Sequence, residues 1–200
     1  MSLTESVFHT FYQDLSAEVA QKLSKIKLVV FDVDGTITDG GIYLDRQENE
    51  LKKFNGKDGM GIALLHYAGI HTALITGRDS PLTQRRAKEI KIEHVIQGIA
   101  DKKLALEELL EKLNLSKDEV AVMGDDVNDI PLFENAAVSA CPNDGYHYMK
   151  KIATIVLTLD GGRGAAREFC DLIMMVQGKI TADGRPLVAK EGISFKPGAQ

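Results

Sequence analysis

Short apolar runs alternate with stretches of helical periodicity from Ile26 onward. The apolar runs predict six strands, at Ile26–Phe31, His71–Ile75, His94–Gln97, Val120–Met123, Val138–Ala140 and Thr154–Thr158. The periodic stretches predict helices at Asp58–Ala68, Pro81–Ile90, Lys102–Leu113, Asp129–Asn135, Tyr146–Lys151 and Ala165–Gln177. Continuous apolar strands that alternate with helices are typical of a parallel sheet covered on both faces. The predicted fold class is therefore α/β, with a doubly wound, Rossmann-like parallel sheet in one core domain over residues 25–177.

Three segments depart from this alternation. Residues 1–24 space their apolar side chains at helical intervals and predict an amphipathic helical extension. Residues 40–54 follow the first strand directly and predict a β-hairpin flap, where a doubly wound fold normally enters a helix. Residues 178–200 contain four glycines, two prolines and few large apolar residues, which predicts a mobile C-terminal tail. Ser80 precedes a proline at the first helical position and is the predicted N-cap of that helix.

Composition narrows the function classes. The 24 lysines and arginines against 29 aspartates and glutamates give a net charge of −5, which argues against a nucleic-acid partner. No apolar run approaches the length of about 18 residues that a membrane span needs. Cys141 and Cys170 are too few for a disulfide framework or a structural zinc site, and indicate a reduced, cytoplasmic setting. The five histidines lack the paired spacing of a metal site and are interpreted as structural or exposed.

Polar residues gather where the predicted strands end. The first strand runs into Asp32-Val33-Asp34-Gly35-Thr36, a later one ends in Thr76-Gly77-Arg78-Asp79, another continues into Gly124–Asp129, and Asp101-Lys102 opens a helix. In open α/β sheets ligands bind beyond the carboxyl ends of the strands. We therefore expect these side chains to share one site.

Converging carboxylates require a compensating charge. Two carboxylates about 4 Å apart repel by roughly 4 kcal/mol at an effective dielectric constant near 20. An all-oxygen ligand set suits Mg²⁺, and a carboxylate beside a metal can act as a nucleophile. Taken singly, each motif has a simpler interpretation as a turn or a helix cap. Their order, each at a strand end or a helix start, favours a catalytic site.

The ordered set Asp32-Val-Asp34-Gly-Thr, Thr76-Gly-Arg, Lys102 and Gly124-Asp125-Asp126-x-x-Asp129 resembles the haloacid dehalogenase superfamily of phosphotransferases. Over residues 26–178 the chain is more similar to one branch, the phosphatases of 3-deoxy-D-manno-octulosonate 8-phosphate (KDO 8-phosphate). The further matches are Thr38–Gly41, Lys53–Asn55, Asp58-Gly59, Thr76–Ser80 and Gly161–Gly164. Gly161–Gly164 lacks the Lys-Ser/Thr of a nucleotide-binding P-loop and is interpreted as a turn between a strand and a helix.

The resemblance implies a role for each residue of the motifs. Asp32 would be the nucleophile and Asp34 the general acid and base. Thr76 would bind the phosphoryl group, and Lys102 would offset its charge. The resemblance also implies Mg²⁺ bound by the Asp32 carboxylate, the Asp34 carbonyl oxygen and Asp125, with Asp126 and Asp129 positioning the ligands and Lys102.

The resemblance further implies a sugar-acid pocket and an oligomer. The pocket would be lined by residues of the segment after the flap and of the following helices: Asn55, Gly56, Lys57, Asp58, Gly59, Ala63, Arg78 and Arg86. Arg85 is interpreted as part of a solvated helix face. The spacing from Asp34 to Thr76 leaves no room for a cap domain. In the branch that the chain resembles, the flap helps to form a tetramer and a neighbouring subunit covers each active site, so the resemblance implies a homotetramer.

Three functions remain open. The first is the Mg²⁺-dependent hydrolysis of KDO 8-phosphate in lipopolysaccharide precursor synthesis. The second is a phosphatase for a nine-carbon keto-sugar-acid 9-phosphate; these sister enzymes carry an acidic residue where Arg78 stands, so Arg78 favours the eight-carbon substrate. The third is a non-catalytic oligomerisation module, which the intact charged set of Asp32, Asp34, Lys102 and Asp125 argues against.

Overall fold

The computed structural model describes residues 7–181 and 183–187. The strands in this part of the chain are β1 Val7–Phe8, β2 Leu15–Ser16, β3 Leu28–Phe31, β4 Tyr43–Leu44, β5 Glu50–Leu51, β6 His71–Ile75, β7 His94–Ile96, β8 Val120–Met123, β9 Val138–Cys141 and β10 Ile155–Val156. The helices are α1 Ala17–Leu23, α2 Gly56–Tyr67, α3 Pro81–Glu89, α4 Lys102–Leu113, α5 Ile130–Phe133, α6 His147–Ile152 and α7 Ala165–Val176. None of these helices is long and apolar enough to cross a membrane.

The central sheet has six parallel strands in the order β10-β9-β8-β3-β6-β7. The chain leaves β3 towards β6 and β7, then crosses back to β8 on the other side of β3. The direction of winding therefore reverses between β3 and β8, and such a reversal opens a crevice at the carboxyl ends of the strands. The predicted doubly wound α/β fold is confirmed.

Alternating side chains of each central strand supply two separate cores. Val29 and Phe31 pack on one face of the sheet in the cluster that includes α2 and α7. Leu28 and Val30 face the other way, in the cluster of α4, α5 and α6. Both faces are buried, which explains why the central strands are continuous apolar runs.

The N-terminal extension differs from the prediction. Only Ala17–Leu23 is helical, while β1 pairs antiparallel with β2. A helix over all of residues 1–24 is therefore wrong for residues 7–16. The Thr10 hydroxyl accepts hydrogen bonds from the backbone N–H groups of Tyr12 and Gln13, and this local turn competes with a helix.

The flap forms as predicted. β4 and β5 pair antiparallel, and Thr38 bridges to Phe54 at the base of the flap. Between Asp34 and Thr76 the chain forms the flap, α2 and β6, with no further domain in this fully described stretch.

The predicted tail is only partly described. Ile180 pairs with Pro186 around a turn, and Leu187 N–H donates to the carbonyl oxygen of Lys179. Ala182 and residues 188–200 lie outside the described residues, so the predicted mobility of residues 178–200 stays a prediction.

Candidate active site

The loop after β3 is a tight turn that presents Asp32 and Asp34. The backbone N–H groups of Thr36, Ile37 and Thr38 all point to the carbonyl oxygen of Val33, at 3.3, 3.1 and 3.0 Å. Asp32 itself remains attached to the sheet, because its N–H donates to the carbonyl oxygen of Met123 at 2.9 Å. The first aspartate is therefore fixed by β3 and β8, and the second lies on the turn that follows.

Gly35 lets the turn approach Asp125 closely. Its φ is +93°, and a Cβ atom at this position would lie 2.1 Å from Asp125 Oδ2. Only glycine fits both conditions. On the same turn, the Thr36 hydroxyl donates to Asp125 Oδ1 at 2.9 Å. The loops after β3 and β8 thus place Asp32 and Asp125 in one site.

Lys102, the first residue of α4, lies between two buried carboxylates. Its Nζ is 2.6 Å from Asp32 Oδ1 and 2.6 Å from Asp129 Oδ1. All three side chains are at least 95% buried. Unpaired charges buried to this extent are costly, so the lysine and the two aspartates stabilise one another.

Burial controls the ionisation of the cluster. Burial, and then the Asp129 carboxylate, raise the pKa of Asp32 to about 7 against the opposing effect of Lys102. Burial and the Asp32 carboxylate raise the pKa of Asp125 to about 7. Burial disfavours the charged ammonium, yet Asp32 and Asp129 together raise the pKa of Lys102. Lys102 therefore only partly offsets the cost of ionising Asp32, and without a bound cation both Asp32 and Asp125 hold their protons more readily than exposed aspartates do.

The carboxylates fit a hard divalent cation. Asp32, Asp125 and Asp129 each offer an oxygen, and these oxygens lie within 4.8 Å of one another. Both carboxylate oxygens of Asp129 already have partners, because Oδ1 binds Lys102 and Oδ2 accepts from the backbone N–H of Asp125 at 3.0 Å. Asp32 and Asp125 remain as ligands, and an oxygen set of this kind suits Mg²⁺.

Asp129 and Asp126 differ in what they do. Asp129 holds both Lys102 and the backbone of Asp125, so it positions a predicted metal ligand. The Asp126 carboxylate instead accepts from the N–H of Val127 at 2.7 Å and caps the short 3₁₀ turn Val127–Asp129. Both predicted positioning residues are brought to the site, and only Asp129 contacts the buried cluster through its side chain.

Two flap residues that the sequence analysis missed, Lys52 and Glu50, contact Asp34 and the residues after β6, respectively. Lys52 Nζ pairs with Asp34 Oδ1, and only 4% of the Lys52 side chain is exposed. Glu50 binds Arg78 Nη2 at 2.7 Å and Ser80 Oγ at 2.7 Å. The sequence carried a signal for these contacts. Glu50 and Lys52 are two positions apart in the predicted hairpin, and residues two apart lie on the same face of a strand.

This network includes Ser80 and lies beside Thr76, two residues that the sequence analysis identified. Ser80 is the N-cap residue of α3 and Pro81 its first residue, as predicted, but the Ser80 side chain makes no capping hydrogen bond because its hydroxyl donates to Glu50. Thr76 is buried at the end of β6, and in the described part of the chain its hydroxyl makes no hydrogen bond. That hydroxyl is free to bind a ligand oxygen.

The predicted sugar-pocket residues fall into two groups. Asn55 caps α2 through the N–H of Lys57, and Gly56 and Lys57 are exposed on its first turn. Asp58 is buried and accepts from the backbone N–H groups of Gly164 and Arg167. The Asp58 carboxylate therefore anchors the start of α7 and is not presented to the surface of the pocket.

Arg86 lies beside α2 and the flap. Its Nη2 donates to the carbonyl oxygen of Asn55 at 3.2 Å, and its guanidinium lies 5.8 Å from the centre of the Phe54 ring. A Cβ atom on Gly59 would come within 2.2 Å of Arg86 Nη2. Ala63 lies one turn further along α2 and is half-buried.

A groove of about 260 Å³ separates the flap from α3. It is lined by Leu51, Lys52, Phe54, Leu82, Arg85, Arg86 and Glu89. Arg85, interpreted as part of a solvated face, is 79% exposed and pairs with Glu89, yet it also borders this groove. Lys52, Arg85 and Arg86 give the groove positively charged walls, and Lys52 also contacts Asp34.

Gly161 and its neighbours support the catalytic turn. A Cβ atom on Gly161 would lie 1.8 Å from the carbonyl oxygen of Gly35. The N–H of Gly162 donates to the carbonyl oxygen of Thr36 at 3.1 Å. The interpretation as a turn before α7 is confirmed, and the structure adds the contact with the turn of Asp34.

Comparisons with known proteins agree with this geometry. Residues 92–168 match the family described as haloacid dehalogenase-like hydrolase. The 3-deoxy-D-manno-octulosonate 8-phosphate phosphatase KdsC of Escherichia coli strain K12 is 39% identical over 180 residues, which are 90% of this chain and 96% of that protein.

Solved structures match over most of their length. The 3-deoxy-D-manno-octulosonate 8-phosphate phosphatase from Yersinia pestis has a TM-score of 0.86 at 39% identity, covering 88% of this chain and 95% of that chain. The enzyme from Moraxella catarrhalis, in complex with a magnesium ion, a phosphate ion and a KDO molecule, has a TM-score of 0.79 at 39% identity, covering 81% and 93%.

These matches confirm the predicted resemblance and the predicted enzyme class, a phosphoric monoester hydrolase. The chain belongs to the haloacid dehalogenase-like hydrolases and, among them, to the family of 3-deoxy-D-manno-octulosonate 8-phosphate phosphatases.

Proposed function

We propose that this protein hydrolyses KDO 8-phosphate to KDO and phosphate in a Mg²⁺-dependent reaction that passes through a phospho-aspartate. The observation that carries the proposal is the buried cluster in which Lys102 joins Asp32 to Asp129, next to Asp125. Phosphoryl transfer depends on positioning and on compensation of oxygen charge. This cluster supplies a fixed carboxylate and a fixed cation.

Asp32 is the proposed nucleophile. One of its oxygens forms a bond to phosphorus while the bond from phosphorus to the sugar oxygen breaks. Asp34, on the following turn, gives a proton to that leaving oxygen. In the second half-reaction Asp34 takes a proton from a water molecule as that water attacks phosphorus. The bond between phosphorus and the Asp32 oxygen breaks, which releases phosphate and restores the free Asp32 carboxylate. Thr76 and Lys102 bind the transferring phosphoryl group.

Mg²⁺, when bound, would compensate negative charge on the phosphoryl oxygens. The residues proposed to hold it are Asp32 and Asp125 through their carboxylates and Asp34 through its carbonyl oxygen. Asp129 keeps Lys102 and the backbone of Asp125 in place, so its contribution is positional.

The substrate class follows from the flap and from the relatives. Arg78 and Lys52 form a cationic rim above Asp34, and Arg86 borders the neighbouring groove. Arginine can bind a carboxylate through two parallel hydrogen bonds, which suits a sugar acid. The relatives named as KDO 8-phosphate phosphatases favour the eight-carbon substrate. Within the proposed pocket, Asn55, Gly56, Lys57, Gly59 and Ala63 line the α2 side, whereas the Asp58 carboxylate is buried against the start of α7.

We further propose a cytoplasmic homotetramer. Its flap exposes apolar side chains, including Ile42 at 67% and Leu44 at 63%, which is unfavourable for a surface that faces water. A neighbouring subunit packed on the flap would bury them and cover the active site. Both cysteines are free and buried, as expected for a reducing compartment.

The test is phosphate release from KDO 8-phosphate, nine-carbon keto-sugar-acid 9-phosphates and simple hexose phosphates, with and without Mg²⁺. We expect a strong preference for KDO 8-phosphate that requires Mg²⁺ and is abolished by Asp32→Asn. Equal, low rates on all substrates would discard the named substrate. The absence of phosphate release from every substrate, with tetramers present, would favour the oligomerisation module.

A further inference from the structure

Three histidines and one glutamate meet at the edge of the sheet opposite the active site. His71 begins β6 and His94 begins β7, so both lie at the amino ends of neighbouring parallel strands. Glu93 immediately precedes β7, and His66 lies in the last turn of α2. We call His66, His71, Glu93 and His94 the histidine cluster. The catalytic carboxylates follow the carboxyl ends of the strands, so the two clusters are separate.

Contacts within the histidine cluster converge on Glu93. His71 Nδ1 is 2.6 Å from Glu93 Oε2, and His66 Nδ1 is 2.8 Å from Glu93 Oε1. His94 Nε2 is 3.8 Å from Glu93 Oε2. One potential ligand atom from each of His71, Glu93 and His94 lies within 4.8 Å of the others. These separations require only small side-chain movements to surround one ion.

His94 provides the second indication of a ligand. Its Nε2 atom is buried and has no hydrogen-bond partner among residues 7–181 and 183–187, and the side chain is only 16% exposed. A buried polar atom without a partner is uncommon and calls for a physical explanation. Burial lowers the pKa of His94, which favours the neutral imidazole, the form that binds metals.

We propose that His71, Glu93 and His94 form a second metal site, suited to Zn²⁺ or a similar transition-metal ion. Imidazole nitrogens select such ions, whereas Mg²⁺ prefers oxygen ligands. Two histidines and one carboxylate leave a fourth position for water, an arrangement that zinc adopts. His66 does not bind the ion; it holds the other carboxylate oxygen and orients Glu93.

The protonation state of His71 decides how it binds the ion. A neutral His71 binds through the Nδ1 lone pair and keeps its single ring proton on Nε2, whereas a protonated His71 first releases its Nδ1 proton to solvent. Lys112 lines the groove beside Glu93 and His94, and its positive charge opposes a cation. We therefore expect an affinity below that of a closed structural zinc site. The bound ion would connect β6 to β7 directly, and α2 would be joined to it only through the contact between His66 and Glu93.

The test is the number of Zn²⁺ ions bound, measured by isothermal titration calorimetry on the full chain. The active site also binds divalent ions, so we expect two ions on the wild type and one on the double variant His71→Gln/His94→Gln. His147→Gln, which changes a histidine at the start of α6, is the matched control and should bind two. A double variant that binds as many ions as the wild type, with equal affinity, would overturn the proposal.

Two further measurements keep the test independent of folding and of catalysis. At a hundredfold excess over Kd, Zn²⁺ should raise the melting temperature of the wild type by about 5–10 °C more than that of the double variant. If the double variant fails to show native circular dichroism, His94→Gln alone replaces it and should also lose one ion. Co²⁺ should give the visible absorption of a site with imidazole ligands in the wild type and His147→Gln only; identical spectra in the variants would contradict the assignment.

Discussion

At the residue scale, the active site depends on one lysine among several carboxylates. Lys102 compensates Asp32 and Asp129 by direct contact, but Asp125 receives only the hydroxyl of Thr36. Charge repulsion from Asp32 and burial therefore act on Asp125 without a compensating cation. The metal-free protein is therefore less stable than its packing alone would make it. Proteins commonly accept such a loss of stability at a functional site, here at a site that can bind a cation.

Asp125→Asn should stabilise the metal-free protein by roughly 1–2 kcal/mol. The amide removes the repelled charge, and its oxygen can still accept from Thr36. Differential scanning calorimetry in EDTA measures the change, and repetition in Mg²⁺ should show a stabilising increment in the wild type only. Asp126→Asn is the matched control, because Asp126 is exposed and lies outside the buried cluster. A lower melting temperature for Asp125→Asn in EDTA would contradict the account.

The sequence analysis placed the proposed catalytic residues in one site because they follow strand ends or begin a helix, where the direction of the chain determines their location. It did not predict Lys52 or the histidine cluster. The partner of Lys52 depends on how the flap folds over Asp34, and His66, His71 and His94 meet only when β6 and β7 become neighbours. Spacing along the chain carries little information about contacts of that kind.

At the scale of elements, Lys52 connects the flap to Asp34, the proposed general acid, and Glu50 connects it to the start of α3. Glu50 contacts Arg78 and Ser80, so one carboxylate connects the flap to the residues after β6. The flap is therefore a part of the candidate active site. Its position determines what surrounds Asp34.

Lys52→Ala should lower kcat by about 10- to 100-fold and change KM less, because Asp34 loses the contact that positions it. Lys53→Ala is the matched control; Lys53 pairs with Asp39 and its side chain is 56% exposed. Steady-state kinetics on the preferred phosphate ester measure both constants. Equal effects of the two substitutions would show that Lys52 has no special role.

The N-terminal hairpin is held to the core by polar contacts. The Tyr12 hydroxyl donates to Asp171 Oδ2 at 2.9 Å, and Gln13 Nε2 donates to Glu168 Oε1 at 3.0 Å. Asp171 and Glu168 are both buried on α7. Helical periodicity over residues 1–24 predicted the apolar positions but missed these tertiary contacts, which favour the hairpin over the helix.

Tyr12→Phe should destabilise the protein by about 1.5 kcal/mol, because the buried Asp171 carboxylate loses a hydrogen bond. For a chain of this length the melting temperature should fall by about 3–6 °C. Tyr148→Phe, at a tyrosine that is 48% exposed on α6, should leave it nearly unchanged. Equal melting temperatures for the two variants would contradict the assigned contact.

At the scale of the whole molecule, the sheet places the proposed catalytic residues beyond the carboxyl ends of its strands, and the flap projects from the same edge. The parallel sheet and both helix layers were predicted from the alternation of apolar runs and helices, but the strand order was not, because that alternation does not say which strands are neighbours. The homotetramer was expected from the resemblance and stays a prediction; the exposure of Ile42, Leu44 and Leu51, which supports it, is visible only once the flap is built.

Leu44→Glu combined with Leu51→Glu should convert the proposed tetramer to smaller species, because charges would replace apolar side chains at the interface. Light scattering after size-exclusion chromatography measures the mass in solution. Leu104→Glu, at a leucine that is 52% exposed on α4, is the control and should remain tetrameric. A wild-type protein that elutes as a monomer would exclude the proposed assembly.

The most direct test of the account is the transfer of labelled phosphate from KDO 8-phosphate to the protein. Asp34→Asn slows the release of the phosphoryl group from Asp32, so rapid acid quenching in Mg²⁺ should trap a labelled phospho-enzyme. Peptide mapping should place the label on Asp32, and the double variant Asp32→Asn/Asp34→Asn should carry none. Label on another residue, or wild-type turnover in Asp32→Asn, would contradict the central claim that Asp32 is the nucleophile.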